Sequence, residues 1–589
     1  MINTLFHETE GNPLFVVEMV RAGTLFQREG IQTTAGNALS LLTQPASTLP
    51  PTMQSVLSAR LAQLSPLARE TANVAAVIGR EFTFAVLARA SEKHEDAVAQ
   101  GLDELWQRRI VREQYVGTAE SYDFTHDKLR EQAYSSLSPT HRRLLHCHIA
   151  EALETTHTNE LDAVSGQIAA HYERAGLPER AIPFYRRAGD SALRIFANSE
   201  AITAFQRAAA LLEMETRADR QWETAAAIYA SSGDIFVMMG QQQEARQVYQ
   251  RGLAHVPPRE YIWQARLLRK TANTWNLVSD NLLGTSHVNA RLAFQEAERL
   301  LDQAPDKSSA AWLQEWIDLQ IDQLLPVRGS VDEMTAIIEK ARPIIELHGS
   351  AEQRAQFFQA VIARDSQRDR FVVTAEIVAN CRAALAAVQQ TGNQGLIGFA
   401  HFILGVRLFL TDQLDEAEEE LRAAITIAEQ IGYTTLLVRG LTFLPFLFRR
   451  RGQVEAVREV ITRALAVPEA RNIPIIKGHQ AWVAWRDGKF DEAETYGRAS
   501  FEEKQAGQNA NSFRWAGIWP FIGVALMQKR TTDAMNAVCL LLNPTQQLPP
   551  EQTRMLLESA LQAWDAGHPE EAHTLLQQAA PLAQQLGYL

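Results

Sequence analysis

The stretch GDIFVMMGQQQEARQVYQRGLAHVP, Gly233–Pro257, decides the fold. Its apolar and small residues recur at helical spacing on both sides of a short break, which is typical of two amphipathic helices joined by a turn. Small side chains at Gly233 and Ala245 let the two helices approach closely, and the rings of Phe236 and Tyr249 fill the space between them. The pattern is carried by Gly233, Phe236, Gly240, Ala245, Tyr249, Leu253 and Pro257. The stretch therefore predicts one helical hairpin of a repeated structure.

Looser copies of this pattern follow along the chain. The spacing resembles the tetratricopeptide repeat, a helix-turn-helix unit with a usual period of about 34 residues. In the later copies the key small or apolar position returns about every forty residues, so the helices or loops are longer than usual. These positions are Ile377, Ala417, Val457, Ala493, Ala534 and Ala572. The sequence predicts an all-α fold, with a tetratricopeptide-like α-solenoid over residues 141–589.

A different pattern precedes the repeats. Residues 45–140 contain three compact helical segments and then two β-like runs, IVREQYV and SYDFTH, on either side of Gly117. Three helices followed by a β-hairpin predict a small winged-helix domain. Residues 1–44 contain a short helical segment and the start of a linker rich in Pro, Ser and Thr.

Composition and charge exclude several classes of protein. The formal charge of −12 argues against broad binding to a phosphate backbone. No stretch approaches the ~18 consecutive apolar residues of a membrane span, and the first residues lack the basic start and apolar run of an export signal. Three scattered cysteines offer neither a disulfide framework nor a paired metal site, and they favour a reducing compartment: Cys147, Cys381 and Cys539. These observations predict a cytoplasmic protein without a membrane partner.

The third helix of the predicted winged helix, residues 94–109, is the candidate for DNA contact. Its surface would present four carboxylates to the DNA, which argues against a direct nucleic-acid partner: Glu95, Asp96, Asp103 and Glu104. The next helical segment carries three histidines and a cysteine, but their spacing scatters them around the helix, so we expect no metal site. Motifs of hydrolases and metalloproteases are absent from the sequence, so an enzyme is not predicted.

Three segments together resemble a known family. They are TEGNPLFVVEMV (9–20), LSARLAQLSPLARETANVAAVIGREF (57–82) and YDFTHDKLREQAYSSLSPTHRRLLHCHIAEALE (122–154), and tetratricopeptide-like helices follow them. This order resembles the C-terminal part of bacterial signal-transduction ATPases of the STAND type, which include transcriptional regulators. The resemblance implies that residues 1–44 are the residual edge of an ATPase module.

The resemblance also implies roles in nucleotide contact. Pro13, in a Gly-x-Pro motif with Gly11, matches the residue that packs on adenine, and His126 matches the histidine that contacts the β-phosphate of ADP. However, no G-x-x-x-x-G-K-[ST] motif occurs, and the pair Gly488-Lys489 lacks both the preceding glycine and the following hydroxyl. Because the phosphate cradle is absent, we expect this chain to bind no cofactor by itself. We expect ATP or ADP to bind only when a separate partner supplies the P-loop. A truncated reading frame or a split partner would each explain this pattern.

The repeats contain a candidate ligand groove. Family geometry places certain positions of each first helix on the concave surface, and at those positions this chain has aromatic residues and one arginine. Such side chains often carry binding energy, because they bury a large area and lose few rotamers. The alternative is that these side chains pack between neighbouring helices. The candidates are Phe399, Phe402, Phe409, Phe446, Arg449, Trp482, Trp485, Trp519 and Trp564.

The patterns together favour a non-catalytic sensor or scaffold. We expect the arm of a STAND-type regulator, which binds a protein, a peptide or a small-molecule inducer along the concave face of its repeats. The alternative is a truncated ATP-dependent transcriptional regulator whose ATPase half is missing or encoded separately.

Overall fold

The computed structural model describes residues 51–116, 119–214, 222–275, 285–324, 331–471, 473–501 and 512–589. These ranges contain 27 α-helices and one three-stranded antiparallel sheet, which confirms the predicted fold class. The chain divides into two compact units, Met1–Ala192 with Thr203–Glu215 and Leu193–Ile202 with Thr216–Leu589. The domain boundaries at residues 44 and 140 stay predictions. Gly11 and Pro13 lie outside the described residues.

The first unit contains the small sheet. Strand β3 lies between β1 and β2, and β2 and β3 are antiparallel neighbours with Val111 opposite Phe124. The sheet, with the helices before it, fits the predicted winged helix and hairpin. The elements up to residue 214 are α1 (Pro51–Ala62), α2 (Pro66–Ile78), β1 (Glu81–Phe82), α3 (Phe84–Ala90), α4 (Glu95–Gln107), β2 (Val111–Val116), β3 (Ala119–Phe124), α5 (Asp127–Ser136), α6 (Pro139–Thr156), α7 (Leu161–Ala175), α8 (Pro178–Arg194) and α9 (Asn198–Met214).

Local signals in the sequence start these helices. The hydroxyl of Ser65 accepts a hydrogen bond from the amide of Ala68 at the first turn of α2, and Pro66 takes the first helical position. Ser138 and Pro139 do the same for α6. The hydroxyl of the residue before the helix accepts a hydrogen bond from a first-turn amide that has no acceptor within the helix. Proline is tolerated at the first helical position because the amide hydrogen that it lacks would make no hydrogen bond within the helix.

The second unit is a series of helical hairpins. Its elements are α10 (Trp222–Met238), α11 (Gln242–His255), α12 (Tyr261–Trp275), α13 (Thr285–Gln303), α14 (Ala310–Leu324), α15 (Val331–His348), α16 (Ala351–Arg368), α17 (Ala375–Gln389), α18 (Gln394–Leu410), α19 (Leu414–Ile431), α20 (Thr434–Arg450), α21 (Val454–Ala466), a short 3-10 helix (Pro468–Ala470), α22 (Pro474–Arg486), α23 (Phe490–Phe501), α24 (Trp515–Met527), α25 (Thr531–Leu542), α26 (Glu551–Asp565) and α27 (Pro569–Gln585).

The turn within a hairpin has a recurring conformation. Six of these turns place one residue in the left-handed region, with φ between +57° and +82°. Glycine adopts this conformation without a steric cost, so it is preferred where a helix ends in this way. The six residues are Gly240, Asp412, Gly452, Gly488, Lys529 and Gly567. The stretch Gly233–Pro257 forms the end of α10, the turn at Gly240 and the whole of α11.

The first helices of successive hairpins pack on one another and form a continuous wall, α10, α12, α14, α16, α18, α20, α22 and α24, called the first-helix wall below. Most of the predicted key positions of the repeats are buried, and Ala417, Ala493 and Ala572 are each 0% exposed. One hydrophobic core extends from Ala265 to Ala360 and a second from Ala355 to Leu589. None of the described helices combines the length and the apolar character that crossing a bilayer requires.

Candidate functional site

A polar cavity of about 320 Å³ lies against the first-helix wall of the second unit. Four consecutive first helices, α10, α12, α14 and α16, contribute to its lining, and Tyr249 of α11 completes it. Apart from one valine, all of the lining side chains carry a charge or a hydrogen-bonding group. They are Asp234, Val237, Tyr249, Arg269, Lys270, Asn273, Asp318, Asp322, Glu352, Gln353 and Gln356.

Arg269 organises the floor of the cavity. It is 8% exposed, and its guanidinium donates to Glu315 Oε1 at 2.6 Å and to Asp322 Oδ2 at 2.5 Å. Arg266 donates to the other oxygen of Glu315 at 2.8 Å. Burial alone would raise the pKa of Glu315, but the charges of Arg269 and Arg266 hold that pKa below its usual value. Two arginines thus keep a buried carboxylate ionised beneath the cavity.

A second cluster of lining residues surrounds Asp234. Lys270 donates to both oxygens of Asp234, at 2.8 and 2.7 Å, and the hydroxyl of Tyr249 donates to Oδ1 of the same carboxylate at 2.7 Å. Burial, with the nearby charge of Asp234, raises the pKa of Tyr249 well above its ordinary value. The phenol therefore stays protonated and serves as a donor that positions Asp234.

Asp318 is only weakly neutralised by its neighbours. Gln353 donates to its Oδ1 at 2.7 Å, and the nearest guanidinium nitrogen, on Arg269, is 3.5 Å from Oδ2. Its pKa is raised by burial, which the charge of Arg269 only partly offsets. Asn273 meanwhile donates to Asp322 at 2.7 Å. The positive charge of a ligand could therefore stabilise the ionised form of Asp318.

The charges of the lining do not balance. Four carboxylates face the cavity against two cationic side chains, Arg269 and Lys270. No serine, threonine, cysteine or histidine is among the described residues that line it. The arrangement suits binding of a group that carries positive charge or several hydrogen-bond donors.

The predicted groove residues lie in a different part of the second unit. Five of the nine are in the core, at exposures of 0 to 6%: Phe402, Phe446, Arg449, Trp482 and Trp519. The other four, Phe399, Phe409, Trp485 and Trp564, are partly buried and pack against the same core. The structure brings Phe446, Arg449 and Trp482 together, but beneath the surface. This placement agrees with the alternative that the side chains pack between helices, and a ligand role for them stays a prediction.

His126 immediately precedes α5, at the helix N-cap position. Its role in nucleotide contact stays a prediction, as do those of Gly11 and Pro13.

Sequence reasoning missed the polar cavity. A signal was present, since Glu315, Asp318 and Asp322 recur at helical spacing on α14, and Arg266 and Arg269 do so on α12. Such spacing shows that each helix has a charged face, but it does not show that the two faces meet.

Comparison of the sequence with known proteins finds similarity over only a short part of the chain. No protein-family model matches the chain. Over 137 residues it is 32% identical to an uncharacterised protein of Rhizobium meliloti (strain 1021), a match that covers 23% of this chain and 13% of the length of that protein.

Several solved structures of helical-repeat proteins are similar to this chain, each at a low level. A STAND protein with a tetratricopeptide repeat sensor from Pyrococcus horikoshii has a TM-score of 0.47 at 11% identity, covering 89% of this chain and 70% of that one. A Rap protein complexed with competence and sporulation factor has a TM-score of 0.37 at 13% identity, over 69% and 98%. Yeast Tom70 has a TM-score of 0.31 at 12% identity, over 72% and 93%. Similarity at this level does not determine a function.

Proposed function

We propose that this chain is the non-catalytic sensor or scaffold arm of a STAND-type regulator, and that the polar cavity receives a cationic group of its ligand. The observation that carries the proposal is the convergence of four carboxylates and two cations from four consecutive first helices on one cavity. The ligand is a peptide, a segment of a protein or a small inducer that presents an ammonium or guanidinium group.

A ligand in this cavity would act on several repeats at once. Asp234, Asn273, Asp318 and Gln353 belong to four different hairpins, so a cation that contacts them favours one relative placement of those hairpins. Each repeat of a solenoid contacts mainly its neighbours, and small shifts therefore add along the array. A sensor needs a ligand that binds two states with different affinity, and a cavity shared between repeats supplies that difference.

The charge pattern selects the ligand class. Asp318 has one amide donor and one distant guanidinium, and Glu352 accepts from Asn393 at 3.2 Å. An incoming cation would offset the burial of Asp318 and add charge-assisted hydrogen bonds. An anionic ligand would instead meet an excess of negative charge.

Capped amino acids test the proposal. Calorimetry would measure the dissociation constant of Nα-acetyl-arginine methylamide for the chain, with Nα-acetyl-glutamate methylamide as the anionic comparison. We expect Asp318→Asn to weaken the arginine derivative about tenfold, since a hydrogen bond to a charged group contributes roughly 1.5 kcal/mol or more. Glu339→Gln, at an exposed position of α15, is the matched control. Equal affinity for both probes, or equal affinity of both variants, would show that the cavity is not a cation site.

A nucleotide test addresses the regulator part of the proposal. We expect the purified chain alone not to bind ATP or ADP at micromolar concentration, because the sequence contains no phosphate cradle. Fluorescence titration with a labelled ADP would measure this. Micromolar affinity would favour the alternative of an ATP-dependent regulator.

A further inference from the structure

The segment Gly587–Leu589 is folded onto a buried arginine. Arg449 of α20 donates from Nε to the carbonyl oxygen of Gly587 at 3.1 Å and from Nη2 to that of Tyr588 at 2.8 Å. Tyr588 is 9% exposed and Leu589 is 4% exposed. The segment is therefore packed inside the second unit, and its backbone carbonyl oxygens accept hydrogen bonds from the arginine.

Arg449 has neutral partners only. Its Nη1 donates to the carbonyl oxygen of Ala516 at 3.0 Å, and it lies 3.4 Å from Nδ1 of His479. Arg449 is 1% exposed, and no carboxylate among the described residues forms an ion pair with it. Desolvation lowers the pKa of Arg449 to about 9. A buried cation without a counter-ion is costly, because dipoles replace only part of its hydration.

His479 is arranged to accept from Arg449. Burial, followed by the charge of Arg449, lowers the pKa of His479 well below its usual value, so the ring is neutral. Its Nε2 lies 2.9 Å from the carbonyl oxygen of Thr442, which can only accept, so Nε2 carries the proton. Nδ1 then holds a lone pair toward Arg449. The histidine therefore adds no negative charge that could neutralise the arginine.

The contacts of the segment are specific. The ring of Tyr588 lies 4.1 Å, centroid to centroid, from that of Trp515, and the two rings line a small pocket together with Trp519 and Leu541. Gly587 has φ +70°, and a Cβ there would lie 2.5 Å from the carbonyl oxygen of Arg449. The backbone conformation and the lack of space therefore require glycine at position 587, and the aromatic ring at position 588 packs against Trp515.

The two N–H groups that the segment occupies are chemically distinctive. Nε–H and one N–H of Nη2 lie on the same edge of the planar guanidinium and point in parallel. A carboxylate fits this edge with both of its oxygens, and it forms shorter and stronger hydrogen bonds than two neutral carbonyls do. A carboxylate at this edge would also neutralise the charge that no described carboxylate pairs with.

We propose that Arg449 and the rings around it form a peptide-binding site that Gly587–Leu589 occupies in cis, and that an acidic peptide of a partner protein displaces this segment. The peptide has a small residue and then an aromatic one, and its carboxylate takes the Nε and Nη2 edge of Arg449 in place of the two backbone carbonyl oxygens that occupy this edge in cis. This site is separate from the polar cavity, and it contains four of the nine residues that the sequence pattern placed in a groove: Phe446, Arg449, Trp482 and Trp519.

Competition between the segment and a short peptide tests the proposal. The probes are acetyl-Gly-Tyr-Glu-amide and its neutral match acetyl-Gly-Tyr-Gln-amide, and calorimetry measures their affinity for the full chain and for a chain that lacks residues 587–589. We expect the shortened chain to bind the acidic peptide about tenfold more tightly than the neutral one, and the full chain to bind it more weakly. Equal affinities for the two peptides, or for the two chains, would overturn the proposal.

Substitution of the arginine distinguishes the effect of its paired N–H donors from the effect of its positive charge alone. Arg449→Lys retains a cation but loses the paired donors, so we expect the shortened chain with this change to lose its preference for the acidic peptide. Arg407→Lys, at another buried arginine of the same unit, should leave the preference unchanged. If both substitutions have the same effect, the peptide does not bind at Arg449.

A full-length variant covers the case in which the shortened chain does not fold. Gly587→Ala places a methyl group against the backbone of Arg449 and strains the left-handed conformation, so it loosens the segment. The amides of Tyr588 and Leu589, which donate to the carbonyl oxygen of Ala583 at 2.8 and 3.3 Å, should then exchange hydrogen faster. The affinity for the acidic peptide should rise in parallel. Faster exchange without higher affinity would contradict displacement in cis.

Discussion

Gly233 lies directly against the ring of Tyr249, so close that a Cβ on Gly233 would be 2.1 Å from Cε1 of that ring. The same tyrosine donates its hydroxyl hydrogen to Asp234 at 2.7 Å. One side chain therefore closes the hairpin formed by α10 and α11 and also positions a carboxylate of the polar cavity. Helix packing and the chemistry of the cavity are coupled at this point.

We expect Gly233→Ala to destabilise the second unit by about 1–3 kcal/mol, because a methyl group would force the ring of Tyr249 or the helix backbone to move. Urea denaturation followed by circular dichroism would measure the change. Gly395→Ala, in the first turn of α18, is the matched control, since a Cβ there meets no atom closer than 3.4 Å. An equal loss of stability in both variants would show that close packing at Gly233 is not the cause.

Removal of the arginine beneath the cavity should be more damaging. Arg269→Leu leaves the buried carboxylate of Glu315 without its main partner, and we expect a loss of about 3–5 kcal/mol in the free energy of unfolding. Arg266→Leu removes the second partner, whose side chain is 27% exposed, and should cost about 1 kcal/mol or less. Urea denaturation of both variants would compare them. A loss from Arg266→Leu as large as that from Arg269→Leu would contradict the assigned order.

The two tryptophans of α22 should respond differently to truncation. Trp482 is 0% exposed and Trp485 is partly exposed, so we expect Trp482→Ala to cost about 3–5 kcal/mol and Trp485→Ala clearly less. Thermal unfolding would rank them. A fully folded Trp482→Ala chain with unchanged stability would show that this ring lies at an open surface, as a ligand groove requires.

Acid should weaken the first unit through a buried histidine pair. Nδ1 of His146 lies 2.9 Å from Nδ1 of His171, and desolvation lowers their pKa values to about 4 and about 3. In the unfolded chain both titrate near ~6.5, so below that pH the unfolded state binds more protons than the folded state. The contribution of the neutral histidine pair to the free energy of unfolding is therefore complete above pH ~6.5. It decreases as the pH falls toward 4.

The slope of this loss can be bounded. Each histidine contributes at most about 1.4 kcal/mol per pH unit, and the double variant His146→Gln, His171→Gln should therefore have a flatter dependence of unfolding free energy on pH between 6.5 and 4. Urea denaturation at several pH values measures it. His479 of the second unit has a lowered pKa as well, so part of the dependence should remain. A double variant with the slope of the unmodified chain would rule out the histidine pair as the cause.

The repeat could be predicted because its signal is local. Gly233, Ala245 and Tyr249 lie within one hairpin, so their spacing along the chain determines their contact once the two helices form. The same holds for the turns, since a residue in the left-handed region follows the first helix of several hairpins and is usually glycine. Close packing between adjacent helices needs small residues, and small residues can be counted in a sequence.

The sites could not be predicted in the same way, because their partners are far apart along the chain. Arg269 and Glu315 are separated by 46 positions, and Arg449 and Gly587 by 138. Helical spacing shows which residues lie on the same face of a helix as Arg449 or Trp482. It does not show which other element of the fold covers that face. In a stack of hairpins a first helix is enclosed by its own partner and by both neighbours, so an aromatic face there becomes core.

The sequence by itself determined the all-α repeat, the small sheet that precedes it and the key residues of each hairpin, because these depend on contacts between residues close along the chain. Only the tertiary structure decided which charged faces meet in a cavity and which segment covers Arg449. Those outcomes depend on desolvation and on long-range pairing of charges, and both are set by the assembled stack of helices.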